Sequence, residues 1–385
     1  MFYIIGLIFA VVIGTEAYSS SSNELTAVVR TDWRYEAENC TEFANMTLNK
    51  YSRQELNDHF ADIMRGTSRW RSCPPHNYQP LRQSATEGEW MESAWIRIFT
   101  RKIADAGDVT AVFPGGVVPL FIGWVDCHVA GNKTSDVELV QDLTNLLKPD
   151  ILYVTVSQAD AGIIPQRFSI HKPFHFKNIF VFSGGGYGHA PIPLLPPIQA
   201  APETNLCGGI NQKKCVYSAV FLGRKNTGPM RTKIVSALHR EMSMDRSILC
   251  SAPVTNWKNI LLSSKVSLCP RGFGRTSFRC FESLQMGLIP AYIFSDVPWV
   301  PYAGTPAAMS SLGVMASTWG NSIRNMIRTV KQWDAEEISR RRSAVQSVVA
   351  SHYSMNGMMN QIELYVKYGP NVSDIRCSKV PPTEK

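Results

Sequence analysis

The chain reads as an α/β protein made of two parallel-sheet domains, and three observations carry that expectation. Short β-rich runs recur at residues 151–156 (ILYVTV), 178–182 (NIFVF), 216–222 (VYSAVFL), 265–269 and 288–294. The continuous run at 151–156 leaves no polar face, so it suits a strand covered by helices on both sides. Helical stretches fall between them, as the crossovers of a parallel sheet require. A proline-rich stretch at 191–202 then interrupts the pattern, which restarts beyond it. Prolines remove ladder donors and forbid a regular helix or central strand, so this stretch marks a boundary. The length of 385 residues fits two domains.

Taken in order, residues 1–14 (MFYIIGLIFAVVIG) carry no charged side chain, and Glu16 is the first charge. Fourteen helical residues span about 21 Å, short of a hydrocarbon core of about 30 Å. Residues 1–17 therefore read as a signal peptide or a short signal-anchor, with a cleavage point after Ala17. Residues 18–50, including the serine tract at 19–22, read as a stem. The first domain is expected over 51–205. Within it, 90–103 (WMESAWIRIFTRKI) has apolar residues at 91, 95, 98, 99 and 103, a helical core stripe. The apolar run 117–124 reads as a strand leading to Asp126, Cys127 and His128. The strand at 151–156 leads to Asp160, and that at 178–182 to a Gly-rich turn ending in His189. The second domain is expected over 206–335, with a basic loop at 223–229 and a helix over 230–242 that carries Arg231 in its first turn. A helical segment over 336–385 closes the chain, periodic as far as residue 368.

Composition narrows the function. The aromatic share is 10% and the charged share only 18%, which excludes a largely disordered chain. The net charge of +8 favours anionic partners, but the basic residues are dispersed and form no nucleic-acid recognition module. No G-x-S-x-G is present, against a hydrolase elbow, and the Gly-rich run at 184–188 lacks the third glycine of a dinucleotide fingerprint. Four N-x-[ST] sequons, at Asn39, Asn45, Asn132 and Asn371, join the N-terminus in favouring the secretory lumen. The nine cysteines then read as disulfides with one odd thiol. Cys207 with Cys215, bracketing a Gly-Gly loop, is the first expected bridge, and Cys40 with Cys73 the second. No C-x-x-C or H-E-x-x-H suggests zinc.

The densest chemistry lies at residues 264–282. A buried strand delivers Cys269-Pro270-Arg271-Gly272-Phe273-Gly274-Arg275, and Thr276 or Ser277 can cap the helix that follows. A helix amino terminus beside Arg271, Arg275 and Arg279 suits a phosphate. In open α/β sheets ligands bind at the carboxyl ends of strands, where this loop falls. Phe278, Phe281, Leu284 and Leu288 share one helical face, and Arg279, Glu282, Ser283 and Met286 another. Glu282 is placed to accept from a ribose diol; the plainer reading pairs it with Arg279 or Arg275 on a solvated face.

These residues resemble the exostosin family, glycosyltransferase family 47. The resemblance rests on Cys269-Pro270-Arg271-Gly272, Ser277-Phe278-Arg279, Glu282, Gly287-Leu288-Ile289-Pro290 and the proline-rich Asp296-Val297-Pro298-Trp299-Val300-Pro301. More weakly, the first half is similar over 153–162 and at Tyr187-Gly188-His189 and Pro191-Ile192-Pro193-Leu194. The resemblance implies a GT-B architecture, two Rossmann-like α/β domains facing across a cleft. It implies an inverting transfer of sugar from a nucleoside diphosphate, UDP first among them, to a glycan acceptor in the Golgi or ER lumen. Many members are type II membrane proteins. Glu282 would hold the ribose, and Arg271, Gly272, Ser277 and Phe278 would line the donor pocket. Arg224, Arg231, Arg275 and Arg279 are further candidates for the diphosphate. The base would come from the first domain: Asp160 first, His189 second, with Asp126 also at a strand end. No Asp-x-Asp is present, so no metal or other cofactor is expected; arginines and a helix dipole can meet a departing diphosphate. The expected partners are a nucleotide-sugar donor and a glycan acceptor, an acidic one suiting the charge, with a membrane anchor and a homo- or hetero-dimer left open. The competing reading is a catalytically silent relative that binds a glycan or stabilises a partner.

Overall fold

The computed structural model describes residues 50–71, 73, 89–130, 133–160, 162, 163, 176, 178–197, 199–210 and 212–368. The expected leader and stem, the four sequon asparagines and Cys40 lie outside them.

Four helices precede the first sheet: α1 (Arg53–Gly66), α2 (Ser68–Arg71), α3 (Met91–Ala106) and α4 (Val109–Val112). Helix α1 starts at a capping box, in which Ser52 accepts from the Glu55 amide and the Glu55 carboxylate accepts from the Ser52 amide. Helix α3 follows the expected stripe, burying Met91, Trp95, Phe99 and Ile103. Trp95 packs its ring on Phe99, Phe113 and Phe121, and its indole N–H donates to the Leu120 carbonyl. Such a ring is worth burying only when that N–H is met.

The first sheet comprises β1 (Val118–Pro119), β2 (Tyr153–Ser157), β3 (Ile179–Ser183) and β4 (Ala190–Pro191), all parallel, in the order β1-β2-β3-β4. The strand expected over 117–124 is shortened to two residues. Pro119 has no N–H for the ladder, and the chain turns at Gly123, whose amide donates to the Trp70 carbonyl, into α5 (Trp124–Ala130). Helix α6 (Lys133–Leu146) then crosses to β2. Pro191 ends an edge strand, the position a proline tolerates.

The second sheet comprises β5 (Tyr217–Leu222), β6 (Ile248–Ser251), β7 (Ser264–Pro270), β8 (Ile289–Phe294) and β9 (Val314–Ser317), again all parallel, in the order β6-β5-β7-β8-β9. Its crossovers are α7 (Pro229–Met244), α8 (Trp257–Leu262), α9 (Phe278–Gln285) and α10 (Met309–Leu312), with α11 (Ser322–Gln332) after β9. The molecule is thus α/β with two parallel sheets, the arrangement of a GT-B architecture. Lys265 ties the second layer together: its ammonium donates to the carbonyls of Val330, Lys331 and Trp333 at the end of α11. Those are the orphan acceptors of a helix C-terminus, where a cation is also favoured by the dipole.

The last helical segment breaks in two, α12 (Ala335–His352) and α13 (Met355–Tyr368). Tyr353 sits at the break, buried, with its hydroxyl donating to the Ala307 carbonyl and its own carbonyl accepting from the Gln285 side chain. Helix α13 returns to the first lobe. Glu363 pairs with Lys102 of α3, and Tyr365 packs against Phe180 and Phe182 of β3 at 5.7 and 5.2 Å.

The Cys207–Cys215 bridge is formed as expected. The second expectation is corrected: Cys73 is bonded to Cys127, in the first turns of α5, and not to Cys40. Cys250, Cys269 and Cys280 are buried and reduced. Among the described residues no helix is long and apolar enough to cross a membrane.

Candidate functional site

The carboxyl ends of the two sheets meet. The Gly184–Gly186 turn after β3 lies against the loop from Arg271 to Ser277 after β7. The Arg275 amide donates to the Gly185 carbonyl at 2.9 Å, and the Thr276 hydroxyl to the Gly184 carbonyl at 2.7 Å. The indole N–H of Trp299 donates to the Ser183 carbonyl at 2.8 Å. The approach is closer than a side chain allows: a Cβ on Gly274 would stand 2.1 Å from the Gly185 oxygen. These glycines serve the contact between lobes.

That contact consumes two of the expected phosphate ligands. Arg275 is fully buried; its Nε donates to the Asp296 carboxylate at 3.0 Å and its Nη1 to the Gly186 carbonyl at 3.1 Å, and its guanidinium stacks 4.5 Å from the Tyr187 ring centroid. Arg271, also buried, donates to the Gly274 carbonyl at 2.9 Å and the Ser295 hydroxyl at 2.7 Å, and pairs with the other oxygen of Asp296. Burial works to raise the Asp296 carboxyl, but the two guanidiniums hold it below the usual carboxylate range. The geometry makes Arg271 and Arg275 a structural clamp. Neither presents a free fork to a ligand.

The remaining candidates spread along the edge of the second sheet. Arg231 braces the loop, donating to the carbonyls of Pro270 and Arg271 at 2.8 Å each. Gly272 closes the loop, its amide donating to the Thr276 carbonyl at 2.9 Å. Arg224 is exposed in the loop after β5. Ser277 occupies the cap of α9, yet its side chain caps nothing and lies 3.9 Å from the Cys280 sulfur. Thr276 is turned to the other lobe instead. Phe278 packs against Trp90 of the first lobe at 6.2 Å. The outer face of α9 differs from expectation at Ser283 and Met286, both buried; Ser283 donates to Ser267 on β7. Arg279 and Glu282 remain half-buried on that face, their charges 3.5 Å apart, the plainer pairing considered for them.

The three base candidates part company. Asp160 lies at the lobe junction, its Cβ 3.0 Å from where a Gly274 side chain would begin. His189 does not reach the strand ends: its amide donates to the Val181 carbonyl halfway along β3, its Nδ1 accepts from the Val181 amide, and its ring stacks on Phe180. Burial pushes its imidazole down to about 4. Asp126 is buried in the first turn of α5.

Beside Asp126 stands an acid missing from the sequence expectations. Glu92 is 1% exposed, and its two oxygens accept the amides of Val125 and Gln158, each at 2.9 Å. It joins the start of α5 to the end of β2, two residues before Asp160. Burial above all, with Asp126 adding to it, pushes its carboxyl up to about 8 against the pull of those amides. The signal was legible: with Trp95, Phe99 and Ile103 at i+3, i+7 and i+11, position 92 lies on the buried face.

No group of acids, histidines and cysteines among the described residues could hold a metal ion. No family model matches the chain, and no curated protein matches it in sequence. Among solved structures, TarM matches over 62% of this chain with 12% identity and a TM-score of 0.32. A point mutant of S. aureus TarM, in complex with Fondaparinux, alpha-GlcNAc-glycerol and UDP, matches over 62% with 11% identity and a TM-score of 0.34. The match spans 47% of TarM, about half its length. A glycosyltransferase from Rickettsia africae ESF-5 matches over 77% of this chain and 85% of its own, with 9% identity and a TM-score of 0.33. Overlap at this level leaves the sheet topology itself as the basis for the fold.

Proposed function

We propose that this chain is an inverting glycosyltransferase that moves a sugar from a nucleoside diphosphate, UDP first, to a glycan acceptor. The observation that carries the reading is the meeting of two parallel sheets at their carboxyl ends, with Glu282 and Arg279 left partly open beside the amino end of α9. In such sheets ligands lie at those ends. Glu282 accepts from the ribose diol. Arg279, Arg224 and the α9 terminus meet the diphosphate, chemistry that asks for no divalent cation. Arg271, Arg275 and Arg231 hold the loop in place.

In the transfer, the acceptor oxygen bonds to the anomeric carbon as the bond to the diphosphate breaks, and the hydroxyl proton passes to a base. Asp160 at the lobe junction suits that role better than His189, which is turned into β3. The replacement Asp160→Asn is expected to lower turnover about a hundredfold with donor affinity kept; unchanged turnover removes Asp160 from the role. The Cys73–Cys127 and Cys207–Cys215 bridges support an oxidising, secretory compartment.

The donor reading is tested by thermal unfolding with UDP. At about 100 times its Kd a ligand stabilises by about 2.7 kcal/mol, a rise of several degrees. The rise is expected in the wild type and lost in Glu282→Ala. An equal rise in both would move the nucleotide off α9. A flat response from well-folded wild type would favour another nucleotide or a silent glycan-binding relative.

A further inference from the structure

One corner of the second sheet's carboxyl edge has chemistry that the donor reading leaves unassigned. Leu222 and Ser251, the last residues of β5 and β6, are register partners, so the loops that follow leave the sheet side by side. The loop after β6 opens α8 with Trp257, a residue that remains 36% exposed. The first turn of α8 is anchored: the Trp257 amide donates to the Val254 carbonyl at 3.1 Å, and Lys258 pairs with Glu203 at 2.6 Å.

Arg279 reaches this corner from α9. Its Nη2 donates to the Leu222 carbonyl at 3.2 Å, and its guanidinium lies 5.0 Å from the Trp257 ring centroid. Its Nη1 is buried without a hydrogen-bond partner, and its distance of 3.5 Å to Glu282 exceeds that of a charge-assisted hydrogen bond. A guanidinium with an unused donor is a group short of an acceptor. Tryptophan from α8 and arginine and glutamate from α9 thus converge beside the end of β5, and each keeps some exposure.

We propose that Trp257 is the platform on which the nucleobase of the donor stacks. The proposal rests on the nucleotide-donor reading and deepens it. With the ribose held at Glu282 on α9 and the diphosphate toward the α9 amino terminus, the base is directed along the sheet edge past β5 to β6. Trp257 stands there. Its indole is part covered by Arg279, which keeps the ring oriented, and the rest offers a flat π-face. Stacking alone accepts any base, so the platform supplies affinity, and preference among bases comes from the loop around it.

The test is calorimetric titration of the intact protein with UDP, GDP and inorganic pyrophosphate, for wild type, Trp257→Ala, Trp257→Phe and Glu282→Gln. Trp257→Ala is expected to weaken UDP about tenfold, the size of one base–aromatic stack, and to leave pyrophosphate unchanged. Trp257→Phe keeps a ring and is expected to restore most of the loss. Trp257→Ala that binds UDP like the wild type, while Glu282→Gln does not, overturns the platform and leaves the donor reading standing. Equal weakening of pyrophosphate would also overturn it, since the residue would then act through the loop. Binding of neither nucleotide by the wild type overturns both readings.

Discussion

Replacing Glu92 by glutamine is expected to remove about 2 kcal/mol of pH dependence between pH 6.5 and 8. The Glu92 carboxyl is pushed up to about 8 in the folded protein, chiefly by burial. In the unfolded chain it titrates near the ordinary carboxylate value. Between the two, the folded state holds a proton that the unfolded state has released. Stability therefore falls as pH rises from about 4.5 to 8, by about 5 kcal/mol over the whole interval, and levels off above it. His189 acts in the opposite sense. Its folded value of about 4 lies below the ordinary one, so its contribution grows as pH rises to about 6.5 and is constant beyond. Above pH 6.5 the Glu92 effect is thus clear of His189. Guanidinium unfolding of both proteins at pH 6.5 and 8 measures it. Parallel behaviour of wild type and Glu92→Gln would mean that the carboxyl is already ionised at pH 6.5.

The second large effect is expected at Asp296. Its carboxylate is the shared counter-charge of Arg271 and Arg275, both buried at the lobe junction. Asp296→Asn keeps the shape and removes the charge, leaving two guanidiniums without an anion. The two arginines are buried but the Asp296 side chain is 28% exposed, so breaking the pair costs less than the loss from a fully buried one, about 2 kcal/mol. The melting temperature should drop by several degrees. Adding Arg275→Met in the same chain should recover part of the loss, since one of the two stranded cations is then gone. A drop below about 1 kcal/mol for Asp296→Asn would show that solvent reaches the arginines and the clamp is weak.

Much of the fold was legible because several of the buried parallel strands are short apolar runs, whereas β6 (ILCS) and β9 (VMAS), at the two edges of the second sheet, gave no such signal and were not expected. The runs at 151–156, 178–182 and 288–294 all lie over observed strands, since nothing but a covered sheet accommodates them. The run at 117–124 misled because residues 120–122 are as buried as a strand, although the regular pairing ends where the Leu120 amide donates to the Val154 carbonyl; Pro119 and Gly123 were the local signs of the early turn. The site was less legible for a different reason. Arginines after a strand and before a helix look alike whether they await a phosphate or hold a carboxylate twenty residues away. Asp296 is that carboxylate, and only the return of the chain through β8 brings it beside Arg271 and Arg275. Glu92 carried a helical-face signal, but its partners, Val125 and Gln158, come from two other elements.

The return of α13 to the first lobe has a consequence for the order of synthesis. Chains emerge from the ribosome amino end first, and domains tend to fold as they emerge. Here Phe180 and Phe182 wait for Tyr365, and Lys102 waits for Glu363. Some 180 residues, the whole second sheet among them, must be translated before that face of the first lobe is covered. The lobe made first is therefore finished last, and its aromatic face is what a nascent-chain chaperone would meet in the interval.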